Sequence, residues 1–201
     1  MKRVFGAGFA VVLCVLMGFG GSEATAQPVI EVGNVVLAPD TAGQEVEISV
    51  TGGQPVETLN LLVQIEDGLN VAGPTIQGVD LITGTIFEND NDGGQFDVDT
   101  DPQFFSTGVV TPFTIPATTV AADGLIATIL VDTTGISSGV FDLKLADTLL
   151  GDTDFGFDEN FLPIEPTIVN GTITVVIPEP GTGALLGLVV VAGLLRRRRQ
   201  G

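Results

Sequence analysis

The stretch Glu45-Val46-Glu47-Ile48-Ser49-Val50-Thr51 decides the fold. Polar and apolar side chains alternate along it without a break. Successive side chains of an extended chain point to opposite faces, so this stretch has one apolar face and one wet face, as a half-buried strand does. The same period recurs downstream. Leu59, Leu61, Val63 and Ile65 alternate in one run, and Phe141, Leu143 and Leu145 alternate with Asp142, Lys144 and Ala146 in another. The span Gly124 to Asp132 is apolar through Leu125-Ile126-Ala127-Thr128-Ile129-Leu130-Val131 and rich in β-branched residues, which predicts a strand covered on both faces or at its ends. Ile168 to Val176 closes the set. Turn clusters separate the runs: Pro39-Asp40, Thr51-Gly52-Gly53, Glu66-Asp67-Gly68, Asp92-Gly93-Gly94, Asp123-Gly124 and Ser137-Ser138-Gly139. No stretch combines helical periodicity with caps. Many short strands at this spacing predict an all-β sandwich.

The span from Pro28 to Val176, about 149 residues, is the size of one domain and long enough to bury a core. It has no histidine, tyrosine, tryptophan or cysteine, and its only basic residue is Lys144. The full chain carries a formal charge of −18 from 25 acidic and 7 basic residues. Without Glu23 and the terminal basic clusters the balance is 1 − 24 = −23. Such a surface repels nucleic acid and anionic lipid and attracts cations and basic partners. Solubility in a salty or calcium-rich exterior accounts for the same charge. The missing histidine and cysteine remove the commonest general base, metal ligand and thiol nucleophile. A carboxylate pair remains available for glycoside hydrolysis, but sugars would have only phenylalanine to stack on. The composition therefore argues against an enzyme.

Both ends of the chain read as addresses. Met1-Lys2-Arg3 is followed by the apolar run Val4 to Phe19, and Ala24-Thr25-Ala26 is a small-x-small site before Gln27, which together predict a secretory signal peptide cut after Ala26. Cys14 lies inside this segment behind Leu13, so it reads as an apolar residue of the signal and not as a lipid attachment site. The mature chain is then free of cysteine and forms no disulfide. At the other end, Val176-Ile177-Pro178-Glu179-Pro180 precedes an uncharged apolar run, Gly181 to Leu195, and then Arg196, Arg197, Arg198 and Arg199. The prolines hold the chain extended. A helix satisfies its own backbone in a bilayer, and the arginines favour the cytoplasmic side. Fifteen residues at ~1.5 Å each span roughly 22 Å, short of a hydrocarbon core of about 30 Å. This makes the tail a poor permanent anchor, although a plain single-span anchor stays open as an alternative to a cleaved signal. The arrangement resembles the PEP-CTERM sorting tail of Gram-negative bacteria. That resemblance implies processing by the membrane transpeptidase exosortase near Pro178, Glu179 and Pro180, with the body exported to the cell envelope, cell surface or extracellular matrix. The predicted organisation is a signal helix over 1–26, a β-sandwich domain over 27–176, and a tail over 177–201 with a short transmembrane helix.

The order of pieces in the body also resembles a family. Val32-Gly33-Asn34-Val35 opens it, Gly43 to Thr51 and Leu59 to Glu66 follow, and Asp123-Gly124-Leu125-Ile126-Ala127-Thr128-Ile129 comes late. Gly139-Val140-Phe141-Asp142-Leu143, Leu145-Ala146-Asp147 and Val169-Asn170-Gly171-Thr172-Ile173-Thr174-Val175 complete it. These pieces are similar to a cohesin-type domain, the jelly-roll β-sandwich that binds dockerin modules, and to related carbohydrate-binding sandwiches. The run Gln64-Ile65-Glu66-Asp67-Gly68 departs from the aromatic-Asp-Pro often found there in cohesins, and no dockerin-contacting residue is placed on this chain.

Three groups of residues are candidates for chemistry or contact. The densest polar stretch runs from Glu88 to Asp101. Glu88, Asp90 and Asp92 fall at loop positions one, three and five, Gly93 at six and Asp99 at twelve, resembling half of a calcium loop. A second arrangement pairs Asp97, Asp99 and Asp101, which on a regular strand share one face and repel unless a cation sits between them. A solvated acidic loop without metal fits the same residues. Asp152-Thr153-Asp154 and Asp158-Glu159, interleaved with Phe155, Phe157 and Phe161, read either as a contact loop or as rings tucked under one end of the sandwich. Phe104-Phe105 poses the same choice. Asn170-Gly171-Thr172 fits a glycosylation acceptor pattern and also the start of the last strand.

Together these readings predict an exported, non-enzymatic surface or matrix protein. Its sandwich binds another protein or mediates adhesion. The alternative is a carbohydrate-binding module, calcium-assisted or not. The expected partners are exosortase and the secretion machinery, the membrane through the tail before processing, and an extracellular protein or polysaccharide, with no nucleic acid.

Overall fold

A computed structural model describes residues 26–66, 68, 72–145, 153–157 and 163–177. The signal segment up to Thr25 lies outside the described residues. So do Pro178, Glu179 and Pro180, the apolar run and Arg196, Arg197, Arg198 and Arg199, together with Asp67, Ala146, Asp147, Asp152, Asp158, Glu159 and Phe161.

Eleven strands make up the described body. They are β1 (Val29–Glu31), β2 (Asn34–Leu37), β3 (Gln44–Thr51), β4 (Thr58–Ile65), β5 (Thr75–Asp80), β6 (Gln95–Asp101), β7 (Phe104–Val110), β8 (Gly124–Asp132), β9 (Gly139–Lys144), β10 (Thr167–Val169) and β11 (Gly171–Val175). One sheet has five strands in the order β10-β1-β3-β8-β5 and the other six in the order β2-β11-β9-β4-β7-β6. The architecture is an all-β sandwich, as the alternation predicts. In β3 the residues Val46, Ile48 and Val50 are buried while Glu45, Glu47, Ser49 and Thr51 face water. They meet Leu59, Leu61, Val63 and Ile65 of β4, Phe105 and Val109 of β7, Leu143 of β9 and Ile173 of β11 across the core. Burying one such side chain stabilises by about 1.5–3 kcal/mol, so this layer carries the fold without any disulfide.

Three expectations need correction. The run Ile168 to Val176 is not one strand. It divides at Asn170 into β10 in the five-stranded sheet and β11 in the six-stranded sheet. The chain start divides in the same way at Gly33, whose φ of 73° turns β1 into β2. The two switching segments run side by side, so β1 pairs β10 and β2 pairs β11 in parallel, while all other pairs are antiparallel. Second, β8 is not covered on both faces. It lies between β3 and β5 with Leu130 exposed, and its apolar excess comes from a bulge opposite Ile48 and Ser49 that lets Ile126 and Ala127 both face the core. Third, the second half of the polar stretch 88–101 is strand: β6 forms the edge of the six-stranded sheet beside β7.

The register sorts the loops to two ends. The turn 38–43, the turn 133–138 and the chain exit at Val176 share one end. There Thr133 Oγ1 donates to the carbonyls of Ala38 (2.7 Å) and Thr41 (2.9 Å), and the Val176 N–H donates to the Leu37 carbonyl (3.4 Å). The segments 52–57, 81–94, 111–123 and 153–157 lie at the other end. They are joined there by the Val56–Val120 bridge, by Asp92 N–H donating to the Val110 carbonyl (2.7 Å) and by Thr111 N–H donating to the Glu57 carbonyl (2.8 Å).

Candidate interaction surface

The two outer faces differ in chemistry. On the five-stranded sheet β3 presents Glu45 and Glu47 to water. On the six-stranded sheet Val36, Val140, Phe96, Val98 and Val110 are exposed, Val98 at 72%, against Leu130 and Val169 on the five-stranded sheet. Phe96, Val98 and Val110 lie on the neighbouring strands β6 and β7, and exposed apolar side chains gathered in this way mark an interaction surface more than the same number scattered singly.

Phe96, Gly108, Asn60 and Asp154 are successive cross-strand neighbours on that face. The Phe96 ring lies across Gly108, its Cζ 2.5 Å from where a Cβ would stand. The ring is 47% exposed, so it rests on the sheet as a flat platform. Asn60 Nδ2 donates to Asp154 Oδ1 (3.0 Å), which also accepts from the Gly156 N–H (2.7 Å). A ring and an amide–carboxylate pair thus sit in one row.

The acidic candidates are spread rather than gathered. Glu88, Asp90 and Asp92 are exposed on turns before β6. Asn91 closes those turns itself: its Nδ2 donates to the carbonyls of Phe87 (3.0 Å) and Glu88 (3.2 Å), and its Oδ1 accepts from Gly94 N–H (2.9 Å). Asp97, Asp99 and Asp101 do not share a face. Asp97 pairs with Thr107 and Asp99 with Ser106, so Val98 is the extra residue of a bulge that reverses the alternation. Asp97 therefore stands on the Thr107 side, accepting from Thr107 Oγ1 (2.8 Å) and Gln95 Nε2 (3.0 Å), while Asp99 and Asp101 stand on the outer side. An inward carboxylate and a bulge on an edge strand block further strand pairing. Among the described residues no group of three or more acidic side chains is placed to hold a metal ion.

The phenylalanines divide. Phe155 is fully buried in the core, whereas Phe157, two residues on, is exposed. The segment carrying them runs along β4 beyond the end of β9, with Thr153 Oγ1 bonded to the carbonyls of Leu62 (3.3 Å) and Leu145. Phe104 and Phe105 face opposite ways as adjacent strand residues must, yet both are buried, Phe105 in the inter-sheet core. Asn170 sits between β10 and β11, where its Oδ1 accepts from Leu145 N–H (2.9 Å). Lys144, the only basic side chain among the described residues, pairs with Asp142 at 3.3 Å.

Sequence reasoning passes over Phe96 and Val98 because carboxylates surround them. Their alternation with Asp97 and Asp99 is a strand signal all the same. Phe113 and Ile115, held between Pro112 and Pro116, carry no periodic signal at all.

This is an all-β sandwich with more exposed apolar side chains on its six-stranded sheet than on its five-stranded sheet and with a separate C-terminal address. Residues 176–199 match the PEP-CTERM protein-sorting motif. The body has the fold of cohesins. It is similar to the non-cellulosomal cohesin of the archaeon Archaeoglobus fulgidus at 16% identity and TM-score 0.55, covering 79% of this chain and 98% of that one. The third ScaC cohesin of Acetivibrio cellulolyticus, solved in complex with the ScaB dockerin, gives 16% identity and TM-score 0.56 over 75% of this chain and all (100%) of that one. The seventh ScaB type I cohesin of Pseudobacteroides cellulosolvens gives 15% and 0.53 over 77% and 96%. At such identities the likeness concerns fold alone. No curated protein matches the chain by sequence. The sorting motif marks an exported protein directed to the cell envelope of a Gram-negative-type bacterium.

Proposed function

We propose that the chain is a non-enzymatic protein-binding module, exported by its N-terminal segment and processed by exosortase through its tail, which displays a cohesin-like sandwich outside the cell for adhesion or assembly. The observation that carries this reading is the group of exposed apolar side chains Phe96, Val98 and Val110 on the neighbouring strands β6 and β7 of a fold that cohesins share. A solved cohesin of this fold is held by a dockerin. An extracellular protein that presents a compact module is the corresponding partner here. The acidic surface adds selectivity for basic partners and speeds their encounter.

The test is retention of host surface proteins and of insoluble host polysaccharides on the immobilised mature protein. Protein retention that is lost in F96S/V98S or in a loop variant supports the reading. Retention of polysaccharide alone overturns it. The second reading, carbohydrate binding, is favoured by one observation: the flat Phe96 ring beside the Asn60–Asp154 pair would stack a sugar and bond its hydroxyls. The F96S variant in the polysaccharide arm tests it.

A further inference from the structure

Phe113 and Ile115 are 90% and 93% exposed, the highest values among the described large apolar side chains. They stand on the loop 111–119 between β7 and β8. The loop is stapled by its own polar groups. Thr111 Oγ1 donates to the Thr118 carbonyl (2.6 Å), Thr114 Oγ1 to the Pro116 carbonyl (2.7 Å), and the Thr114 and Thr118 hydroxyls share a bond of 2.8 Å. Thr111 N–H and the Val56–Val120 bridge close its base on Val56 and Glu57, just before β4. Hydroxyls turned to each other and apolar side chains turned to water invert the usual arrangement of a solvent loop. A stapled loop loses little entropy when it docks, which is what a binding anchor requires.

The neighbouring segment adds a third exposed apolar side chain. Thr58 Oγ1 donates to the Phe155 carbonyl (2.9 Å), one residue from the Glu57 carbonyl that holds Thr111. Phe157 therefore belongs to the same end. The segments at this end carry Glu57, Asp92, Asp123 and Asp154, and none of their described residues is basic. The chain exit at Val176 is at the opposite end, so a body held by its tail turns this end away from the bilayer. The carboxylates repel anionic lipid, and the loop hydroxyls are already engaged, which leaves little to bond a sugar.

We propose that the loop 111–119 is the docking tip for a basic protein, with Phe113 and Ile115 entering an apolar recess rimmed by lysine or arginine. This rests on the protein-binding reading above and locates its contact. Aromatic anchors at the centre of an interface dominate its energy, and the rim charges set its salt dependence.

The test uses the full chain in its host with p-benzoylphenylalanine in place of Phe113, and in a second strain in place of Val98. After irradiation the adducts are identified by mass spectrometry, at about 0.05 M and about 0.5 M salt. The expected result is a discrete adduct from position 113 with a basic protein. Its yield falls several-fold at the higher salt, and the partner binds F113S/I115S at least about 30-fold more weakly. An adduct with lipid, glycan or a second copy of the chain, or no adduct from position 113, overturns the proposal. A protein adduct from position 98 alone overturns the tip while leaving the protein-binding reading standing. No protein adduct from either position removes both.

Discussion

Gly171 lies against the Gly33 carbonyl so closely that a Cβ on Gly171 would overlap that oxygen and stand 2.6 Å from its carbon. This contact is where the two ends of the body change sheets together. Thr172 N–H donates to the same Gly33 carbonyl (3.2 Å), and Val32 N–H donates to the Val169 carbonyl (3.1 Å) just before it. The obstacle is backbone and cannot rotate away. Gly171→Ala is therefore expected to cost about 3 kcal/mol or more, read as a lowered urea midpoint. Gly78 on the edge strand β5 has open space at its Cβ, and Gly78→Ala serves as the control within about 1 kcal/mol of wild type.

Phe155 and Phe157 separate packing from contact on one short segment. Phe155→Ala removes a fully buried ring and is expected to destabilise by about 3–5 kcal/mol. Phe157→Ala removes an exposed ring and should leave the melting temperature within about 2 °C of wild type. Equal effects of the two would mean that Phe157 packs in solution.

What could be read from the sequence followed period. In β3, β4 and β9 one face is wet and one dry, so alternation shows both the strand and its orientation. In β6 the bulge at Val98 and the dense carboxylates hide an edge strand inside an apparent loop, although Phe96 and Val98 alternate within it. β5 and β7 carry glycines and threonines in place of a clean apolar period. The sheet switches at Gly33 and Asn170 leave no periodic trace, because the chain stays extended while the faces change partners. Phe113 and Ile115 face water because the surrounding threonines bond to one another, and only the three-dimensional placement of those hydroxyls reveals it.

Two aspartates make stability depend on acid. Burial pushes the Asp80 carboxyl up, but the Thr83 hydroxyl and the N–H groups of Thr83 and Ile82 outweigh it and hold it below the ordinary 3.8. The Thr134 side chain and N–H hold Asp132 below 3.8 as well, with Gln77 adding to them. Both groups release their protons more readily folded than unfolded. Their contribution is therefore complete above the unfolded value near 4 and is lost as pH falls through the lower folded values. The double variant D80N/D132N is expected to be less stable at neutral pH, and to lose less stability than wild type between about pH 5 and about pH 2. Parallel curves for the two proteins would refute the assignment.

Glu88, Asp90 and Asp92 are not placed to hold a metal ion together, and Asp97 faces away from Asp99 and Asp101. Calcium takes 6–8 oxygen ligands, and Asn91 already closes that turn with its own amide. Millimolar calcium and magnesium are expected to raise the melting temperature of the mature protein equally, by screening its charge. A rise specific to calcium and abolished by D90N/D92N would establish a site instead.

The last described tie of the tail to the body is the bond from Val176 N–H to the Leu37 carbonyl. Pro178, two residues on, has no N–H, which breaks any continuation of this pairing along β2. A protease needs an extended, unpaired segment, and prolines at 178 and 180 favour one. Protein recovered from outside its host cell is expected to begin at Gln27 and to lack Arg196 to Arg199, with its new C-terminus close to Pro178–Pro180. Glu179→Ala should accumulate a membrane-held form with the arginines intact. Because β11 is complete before the break, that variant should melt at the wild-type temperature, which separates a processing defect from a folding defect. Recovery of the untrimmed protein from the cytosol of the host would overturn both the sorting and the display that the binding surface requires.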